Sequence, residues 1–215
     1  MNIQKGLRLA VDIGGTFTDT VLIDAQGTIL ATTKTPTTPA NPTFGAIEGV
    51  ERVLAEANST LSQIEGFIHG TTLATNALIE RRGAVVATIT TAGFRDILEI
   101  AYERRYSQYD INLVKPDLIV PRSRAFTIAG RMTASGDEVQ AFDEGAVEAL
   151  ANDLAASGAD AVAICLMHAY ANPAHEIRLR EMLQQALPEI VISLSHEVSP
   201  EAREFDRLCT TIANA

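Results

Sequence analysis

The residues whose types and spacing could do chemistry are concentrated near the N-terminus, in the segment 9–24, which reads LAVDIGGTFTDTVLID. A Gly-Gly pair joins an apolar strand to an alternating one, and glycine permits a tight turn around a ligand. Thr16 and Thr18 offer backbone N–H groups and hydroxyls to oxygen atoms, which suits a phosphate group. Asp12 and Asp19 would repel a bare phosphate, so they favour a metal-bound nucleotide or an activated water. We therefore predict a phosphate-binding hairpin rather than an ordinary glycine-turned one.

A second polar group lies where a predicted strand meets a predicted helix, in the run His69-Gly70-Thr71-Thr72. The unpaired N–H groups at a helix N-terminus attract anions or carbonyl oxygens. Asn76 follows about one helical turn beyond this N-terminus. Thr71, Thr72 and Asn76 are therefore predicted to line a ligand, whereas His69 suits a core position and a ligand contact equally well.

Arginines form a third group, because a guanidinium can bind a carboxylate or a phosphate through two parallel hydrogen bonds. Arg95 follows a buried strand, where a helix cap or a surface ion pair with Asp96 explains it without a ligand; it is kept as a candidate for lining a substrate site. Arg104, Arg105 and Arg131 lie in an Arg- and Tyr-rich stretch, and the sequence does not choose between them.

The histidines and cysteines show no pattern typical of a metal site or a nucleophile. His168 and His175 are separated by an Asn-Pro pair and do not share a helical face. These two and His196 are best explained as surface or structural histidines. No grouping of Cys, His and Asp has the spacing of metal ligands. Cys165 lies in an apolar run, where burial would keep it inert, and with Cys209 as the other cysteine we predict two reduced thiols rather than a disulfide framework.

The elements that must position these residues follow from apolar periodicity and from capping signals. Strands are predicted over 7–13, 17–24, 28–34, 64–69, 84–90, 161–166 and 190–194. Helices are predicted over 43–58, from the Thr71–Thr72 cap to Arg82, and over 93–100, 143–157, 173–187 and 200–215. The stretch 102–139 is predicted to be an insertion packed against the main sheet, with a strand or two near 125–132. Hairpin-paired strands that are followed by alternating helices and strands predict an α/β layered fold of the RNase H-like type.

Composition restricts the partners. The chain has 215 residues, of which 47% are hydrophobic and 20% are charged, enough for one good core or two small ones. A net charge of −10 disfavours nucleic acid and anionic membrane surfaces as partners. No secretory leader and no apolar run of transmembrane length is visible, so a cytoplasmic enzyme or subunit is expected.

The order Asp-x-Gly-Gly-Thr resembles the first phosphate motif of the acetate kinase–sugar kinase–Hsp70–actin superfamily. Its extension through Phe17, Thr18 and Asp19 is similar to the hydantoinase A/5-oxoprolinase family. Segments 69–81, 90–100, 165–176 and 193–198 resemble later signatures of that family. The resemblance implies an α/β, RNase H-like lobe of the actin/sugar kinase/Hsp70 type, with an insertion at about 101–140. It also implies a first domain over 1–200 and, over 201–215, the truncated start of a following hydantoinase A domain.

The resemblance further implies a use of ATP and magnesium. Asp12 would act as a catalytic residue through magnesium or a water, and Thr16 would act beside it. The nucleotide phosphates would be held by Gly14, Gly15, Thr16, Thr18 and Asp19. The reaction would open a cyclic amide such as a hydantoin or 5-oxoproline: ATP phosphorylates the carbonyl oxygen, and a hydantoinase B-type domain or subunit delivers water. A second lobe would complete the nucleotide site, so residues 1–215 alone are expected to bind ATP weakly and to turn nothing over.

Three other functions stay open at this point. ATP-driven ketone carboxylases share the lobe and the same activation chemistry. A sugar kinase has a similar first phosphate motif, but the sugar-binding Gly-Asn-Asp segment and the Cys-rich zinc motif of such kinases are missing from the sequence. A regulatory ATP-binding lobe without catalysis is the third possibility, with the Arg- and Tyr-rich insertion as its contact surface.

Overall fold

Strand pairing in the computed structural model, which describes residues 6–38, 41–103, 107 and 109–215, forms two four-stranded sheets and a two-stranded ribbon. The chain divides into two compact units, Met1–Arg82 and Gly83–Ala215. Each unit contains one of the four-stranded sheets together with helices. The fold is therefore mixed α/β, with antiparallel and parallel pairing in the first unit and a parallel sheet in the second.

The first unit opens with three strands that are paired by hairpins. Its elements are β1 (Leu7–Ile13), β2 (Phe17–Ile23), β3 (Ile29–Pro36), α1 (Pro42–Glu56), β4 (Ile64–Thr71) and α2 (Leu73–Glu80). The strand order is β3-β2-β1-β4, in which β1, β2 and β3 are antiparallel and β4 runs parallel to β1. Alternation along β1 buries Leu7, Leu9 and Val11 and exposes Asp12.

Helix α1 covers the buried face of this sheet. Asn41 caps it by accepting a hydrogen bond from the Thr43 N–H, and Pro42 occupies the first turn, where its missing N–H costs nothing. Val53 and Leu54 pack against the apolar residues of β1 and β2. Gly49 faces the hydroxyl of Thr20 so closely that a side chain has no room, which lets the helix lie close to the sheet.

The second unit is a parallel sheet with strand order β10-β9-β5-β6. Its strands are β5 (Val86–Thr91), β6 (Ala125–Ile128), β9 (Ala161–Cys165) and β10 (Val191–Leu194), and the ribbon consists of β7 (Arg131–Met132) and β8 (Glu138–Gln140). Its helices are α3 (Ile97–Ile100), α4 (Val147–Ala156), α5 (Ala174–Ala186), α6 (Ser195–Val198) and α7 (Glu204–Asn214). Strand β9 is buried along its whole length, as expected for a parallel strand covered on both faces.

Most predicted elements are confirmed, and the differences have local causes. The predicted helix over 93–100 is wrong except for the single turn of α3, because Gly93 adopts a φ of +90° and Phe94 N–H closes a turn onto the Thr91 carbonyl. The predicted helix over 200–215 begins only at Glu204, since Arg203 has a φ of +78°. Residues 125–128 form an edge strand of the second sheet itself, where the sequence had suggested an insertion packed against it. Among the helices that the structure describes, none is long and apolar enough to cross a membrane.

Candidate functional site

The tip of the β1–β2 hairpin is closed by a hydrogen bond of 3.0 Å from the Gly14 N–H to the Phe17 carbonyl oxygen. Neither Gly14 nor Gly15 has a positive φ, so the expectation that these glycines supply backbone conformations closed to other residues is wrong. They are required by close approach instead. A methyl group on Gly14 would lie 2.9 Å from the Phe17 carbonyl oxygen, and one on Gly15 would lie 2.9 Å from Asn76 Nδ2.

Thr37, just beyond β3, holds the inner side of this tip. Its N–H donates to the Thr16 carbonyl at 2.9 Å, and its hydroxyl donates to the Gly14 carbonyl at 2.9 Å. The hydroxyl oxygens of Thr37 and Thr18 lie 3.0 Å apart. Thr18 is fully buried, so its hydroxyl serves this internal contact.

The outer side of the tip keeps its hydrogen-bond donors free. Within the part of the chain that the structure describes, the N–H groups of Gly15 and Thr16 and the Thr16 hydroxyl have no hydrogen-bond partner. Both residues are exposed. Consecutive free N–H groups in a turn form an anion-binding concavity, and this is the arrangement that the tip offers to a phosphate oxygen.

Four residues form a row across the sheet beside the tip. Gly70, Asp12, Asp19 and Lys34 are register partners on β4, β1, β2 and β3. Lys34 Nζ lies 2.7 Å from Asp19 Oδ2, so the charge of Asp19 is compensated within the row. Asp12 leans toward β4, where a methyl group on Gly70 would lie 3.2 Å from Asp12 Oδ1. Asp12 is therefore the carboxylate of this row that is left for a cation or a water.

The β4–α2 junction lies against the same tip. Thr72 N–H and the Thr71 hydroxyl both donate to the Ile13 carbonyl, at 3.2 and 3.3 Å. Thr71 Oγ1 also accepts a hydrogen bond from the N–H of Leu73, the first residue of α2. Asn76 Nδ2 donates to Thr72 Oγ1 at 3.3 Å, and its amide faces Gly15. The structure thus brings Thr71, Thr72 and Asn76 to the hairpin tip.

The remaining sequence candidates belong to other elements. Arg95 belongs to the second unit, where its guanidinium donates to the Arg122 carbonyl at 3.1 Å. Arg131 lies over the ring of Phe94, 5.5 Å from its centroid. Arg104 and Arg105 fall outside the described residues. His69 is exposed and stacks on Phe67 with the ring centroids 6.4 Å apart, so the core interpretation of His69 is wrong.

The tip fits magnesium-bound phosphate by the chemistry of its donors. Among the described residues no group of three or more His, Cys, Asp and Glu side chains could hold a metal ion by itself. Magnesium, however, is usually bound through one or two carboxylates, with phosphate oxygens and waters as its other ligands. Asp12 beside the free N–H groups of Gly15 and Thr16 supplies that combination.

The second unit contains a buried polar cluster, here called the Glu176–Arg207 network. Glu176 is fully buried and accepts hydrogen bonds from the Leu166 N–H, the Ser195 hydroxyl, and the N–H and Nδ1 of His196, at 2.6 to 3.2 Å. Arg207 is equally buried. Its Nε donates to Ser195 Oγ at 3.0 Å, and its terminal nitrogens donate to the carbonyls of Glu201 and Leu166. The network ties α5, α6 and α7 to the end of β9.

The network contains a serine, a histidine and a carboxylate, but not in the order of a nucleophilic triad. The Ser195 hydroxyl donates to Glu176 rather than to His196, so the serine–histidine–carboxylate relay of a triad is not formed. Burial raises the pKa of the nearby Cys165 thiol to about 12, and a thiol that stays protonated near neutral pH is a poor nucleophile.

Sequence reasoning missed two features of the site. Thr37 lies outside the glycine-rich motif, and its position depends on how β3 pairs with β2, which the local pattern does not contain. The pairing of Lys34 with Asp19 was missed for the same reason. A strict register prediction for the β2–β3 hairpin would have placed Lys34 opposite Asp19.

Known proteins are similar to this chain along almost its whole length. The family model described as hydantoinase/oxoprolinase N-terminal region matches residues 8–187. The caprolactamase alpha subunit of Pseudomonas jessenii is 36% identical over 218 residues, which cover 99% of this chain and 31% of that subunit. The 5-oxoprolinase 1 of Arabidopsis thaliana is 29% identical over 242 residues, which cover 99% of this chain and 19% of that protein.

Two solved structures are similar to this one. The ATP-dependent caprolactamase of Pseudomonas jessenii matches with a TM-score of 0.81 and 36% identity, over 97% of this chain and 31% of that one. A nucleotide-free acetone carboxylase, described as carrying out ATP-dependent acetone carboxylation, matches with a TM-score of 0.86 and 27% identity, over 96% and 31%. The chain thus spans about a third or less of the length of these relatives.

Proposed function

Because the chain belongs to the hydantoinase/oxoprolinase N-terminal region family, we propose that it is the phosphate-binding part of an ATP-dependent enzyme that opens a cyclic amide. The family predicted from the motifs is confirmed by the match over residues 8–187. The relatives include proteins named caprolactamase and 5-oxoprolinase. The substrate of this chain, its use of ATP and the roles of its residues are the proposal.

One observation supports the proposal most directly. The tip of the β1–β2 hairpin has N–H donors without partners among the described residues, and the exposed carboxylate of Asp12 lies on β1 just before the tip. Gly15 and Thr16 would bind phosphate oxygens through these N–H groups, with Gly14 shaping the turn. Asp12 would hold magnesium or a metal-bound water, and Thr16 Oγ1 would donate to a phosphate oxygen. Phosphoryl transfer depends mainly on such positioning and charge neutralisation, so a site without a nucleophile suits it.

The bound magnesium would neutralise charge on the nucleotide phosphates. The transferred group would move from ATP to the carbonyl oxygen of the amide: the bond from the γ-phosphorus to the β,γ-bridging oxygen breaks, and a bond to the carbonyl oxygen forms. ADP leaves, and the carbon of the O-phosphorylated amide becomes a better electrophile for water. Asp19, held by Lys34, would keep the charge of the row balanced while Asp12 faces the cation.

The substrate is proposed to lie near the β4–α2 junction. Thr71, Thr72 and Asn76 would line it there, with hydroxyl and amide groups that suit an amide N–H and C=O. Arg95 stays a proposed substrate-lining residue.

The fold supports an RNase H-like lobe of the actin type as the finer description. Three hairpin-paired strands are followed by a parallel fourth strand after a helix, and the phosphate candidates lie at the first hairpin. The proposed division into a domain over 1–200 and the start of another over 201–215 rests on the family resemblance. The complete enzyme is proposed to include a second lobe and a hydantoinase B-type subunit or domain that delivers water.

A second candidate function is ATP-dependent carboxylation of a ketone. The acetone carboxylase structure matches with a TM-score of 0.86, and the caprolactamase structure matches with a TM-score of 0.81. Both reactions would activate an oxygen atom by phosphorylation, so the hairpin tip serves either one.

The test is phosphate release from ATP by the complete enzyme, measured alone, with cyclic amides (hydantoin, 5-oxoproline, caprolactam) and with acetone plus bicarbonate. We expect a cyclic amide to stimulate release and to be consumed in equal amount. Stimulation only by acetone plus bicarbonate would support the carboxylase instead. Release that no co-substrate changes would contradict both enzymatic proposals.

A further inference from the structure

Thr37 occupies a position that the proposed function does not yet explain. It is not part of the glycine-rich motif, yet it bonds to two of the three carbonyl groups between Gly14 and Thr16. We infer that Thr37 is a positioning residue, which holds the hairpin tip with its N–H groups turned toward the nucleotide phosphates. This inference rests on the proposed function for the identity of the ligand.

The direction of the hydrogen bonds in this contact is fixed by chemistry. The Thr37 hydroxyl has one proton, and the Gly14 carbonyl oxygen can only accept. Thr37 therefore donates to Gly14 O at 2.9 Å, and the hydroxyl of Thr18 must donate to Thr37 Oγ1 at 3.0 Å. The chain runs from Thr18 through Thr37 to Gly14. The Thr18 hydroxyl is used in this chain, so any contribution of Thr18 to nucleotide binding acts through the tip rather than by contact.

The consequence for a phosphate lies in where the tip carbonyls are held. A carbonyl oxygen that faced the ligand would repel a phosphate oxygen. Thr37 draws the carbonyls of both Gly14 and Thr16 to the inner side, at 2.9 Å each. The N–H groups of Gly15 and Thr16 are left without partners among the described residues, and these are the donors proposed to bind phosphate. The anion site is thus formed before the nucleotide arrives, which lowers the cost of binding.

Burial makes this contact effective. Thr37 is 7% exposed and Thr18 is fully buried, so water does not compete for these hydroxyls. A substitution that removes the Thr37 hydroxyl leaves the Gly14 carbonyl without that partner. The carbonyl would then turn toward water on the outer side, where the phosphate has to bind.

A matched control is available two residues earlier in the chain. Thr35 is also fully buried, and its hydroxyl donates to the Gly45 carbonyl at 2.8 Å, which ties β3 to α1 rather than to the tip. Thr35→Val therefore removes a buried hydroxyl of the same kind without touching the tip carbonyls. Thr37→Ser keeps the hydroxyl and removes only a methyl group.

The experiment compares Thr37→Val, Thr37→Ser and Thr35→Val in the complete enzyme. Three quantities are measured: the steady-state KM for ATP, kcat, and the hydrogen exchange of a peptide that spans residues 13–18. For Thr37→Val we expect kcat/KM for ATP to fall by about tenfold to a hundredfold, the scale of a misplaced binding group. Exchange at 13–18 should become faster. Thr37→Ser should restore both, and Thr35→Val should leave KM and exchange within about twofold of the wild type even if it melts earlier.

Each other outcome overturns the inference. Unchanged exchange at 13–18 in Thr37→Val would show that the contact does not hold the tip. Faster exchange with unchanged kinetics would show that the tip conformation does not matter for ATP. Equal losses in Thr37→Val and Thr35→Val would show a general effect of stability. If Thr37→Val does not fold, Thr37→Ala removes the same hydroxyl without placing a methyl against Gly14, and it is judged by the same criteria.

A separate variant tests the proposed function itself. Asp12→Asn tests whether the tip takes part in ATP chemistry at all. Full activity of Asp12→Asn contradicts the proposed function, whereas loss of activity in Asp12→Asn with wild-type behaviour of Thr37→Val contradicts only the role of Thr37.

Discussion

The hairpin tip of the first unit and the Glu176–Arg207 network of the second unit use polar groups in opposite ways. The network holds the residue types most often associated with catalysis: a serine, a histidine, a buried carboxylate and a buried arginine. Their bonding groups are directed at one another or at backbone groups. The tip is made of glycines and threonines, yet it keeps two N–H donors and a carboxylate directed outward.

The difference shows that free bonding capacity identifies a site better than residue type does. A buried carboxylate that accepts four hydrogen bonds has no capacity left for a substrate. Such a network holds elements together, and breaking it leaves charges buried without partners. Unpaired N–H groups on an exposed tip cost little in water and become useful only when a ligand binds them. The following predictions test this contrast, from the largest expected effect to the smallest.

The first prediction concerns the network. Glu176→Gln should lower the free energy of unfolding by about 3–5 kcal/mol, because the buried carboxylate is lost and the amide nitrogen that replaces one of its oxygens cannot accept a hydrogen bond from His196. Turnover per folded molecule should not change. Urea unfolding of the variant measures the loss, with Glu181→Gln, on the exposed side of the same helix, as the control. Lost turnover at unchanged stability would indicate that the network is itself a site.

The second prediction concerns the tip. Asp12→Asn and Thr16→Val should each lower kcat by at least about a hundredfold in the complete enzyme, the scale of losing one electrostatic donor in a closed site. Their free energies of unfolding should change little, since both side chains are exposed. Steady-state ATP turnover and thermal melts measure the two effects.

Asp24→Asn provides the control for this pair of variants. Asp24 is a carboxylate of the same unit that accepts from the N–H groups of Gln26 and Thr28 in the next turn, away from the tip. Near-normal ATP turnover in Asp12→Asn or Thr16→Val would make the hairpin structural and would contradict phosphoryl transfer at the tip.

The sequence was sufficient for those parts of the fold that depend on local periodicity. The alternation of Leu7, Leu9 and Val11 predicts β1 and its buried face, and the apolar run of β9 predicts a strand buried on both sides. The sequence was insufficient where a single backbone angle decides. The positive φ at Gly93 and Arg203 delays the start of helices that the residue pattern begins at or before these positions.

For the site, the sequence located the tip but not what holds it. The motif predicts Asp12 and Thr16 at a tight turn, because a Gly-Gly pair joins two strands there. Thr18 shows the limit of this reasoning. A threonine whose hydroxyl faces a phosphate and a threonine whose hydroxyl is buried beneath the motif look the same in the sequence. Only the register of β2 with β3, and the contact with Thr37, reveals which side Thr18 takes.

The third prediction compares two buried hydroxyls within the first unit. Thr20 Oγ1 is buried and lacks a hydrogen-bond partner among the described residues, whereas Thr35 Oγ1 donates to Gly45. Thr20→Val should leave the free energy of unfolding unchanged or raise it by about 0.5–1 kcal/mol, while Thr35→Val should lower it by about 1–2 kcal/mol. Denaturant unfolding of both variants measures the difference. Equal losses would mean that the Thr20 hydroxyl has a partner in solution.

The smallest expected effect lies on the surface of the second unit, where charge is paired but not buried. Arg178 donates to both carboxylate oxygens of Glu144, at 2.8 and 2.9 Å, and these hydrogen bonds hold the pKa of Glu144 below its ordinary value of 4.5. Since the folded pKa is the lower one, the ion pair stabilises the fold above the ordinary pKa, and its contribution is lost as the pH falls through the folded pKa. Glu144→Gln should therefore unfold at a slightly lower urea concentration than the wild type at about pH 6, and the two midpoints should converge as the pH falls well below 4.5. High salt should narrow the difference at pH 6, because both side chains are half exposed and ions screen the pair. A difference that persists at acid pH would mean that Glu144 stabilises the start of α4 by packing or by a hydrogen bond that survives protonation, and not by its charge.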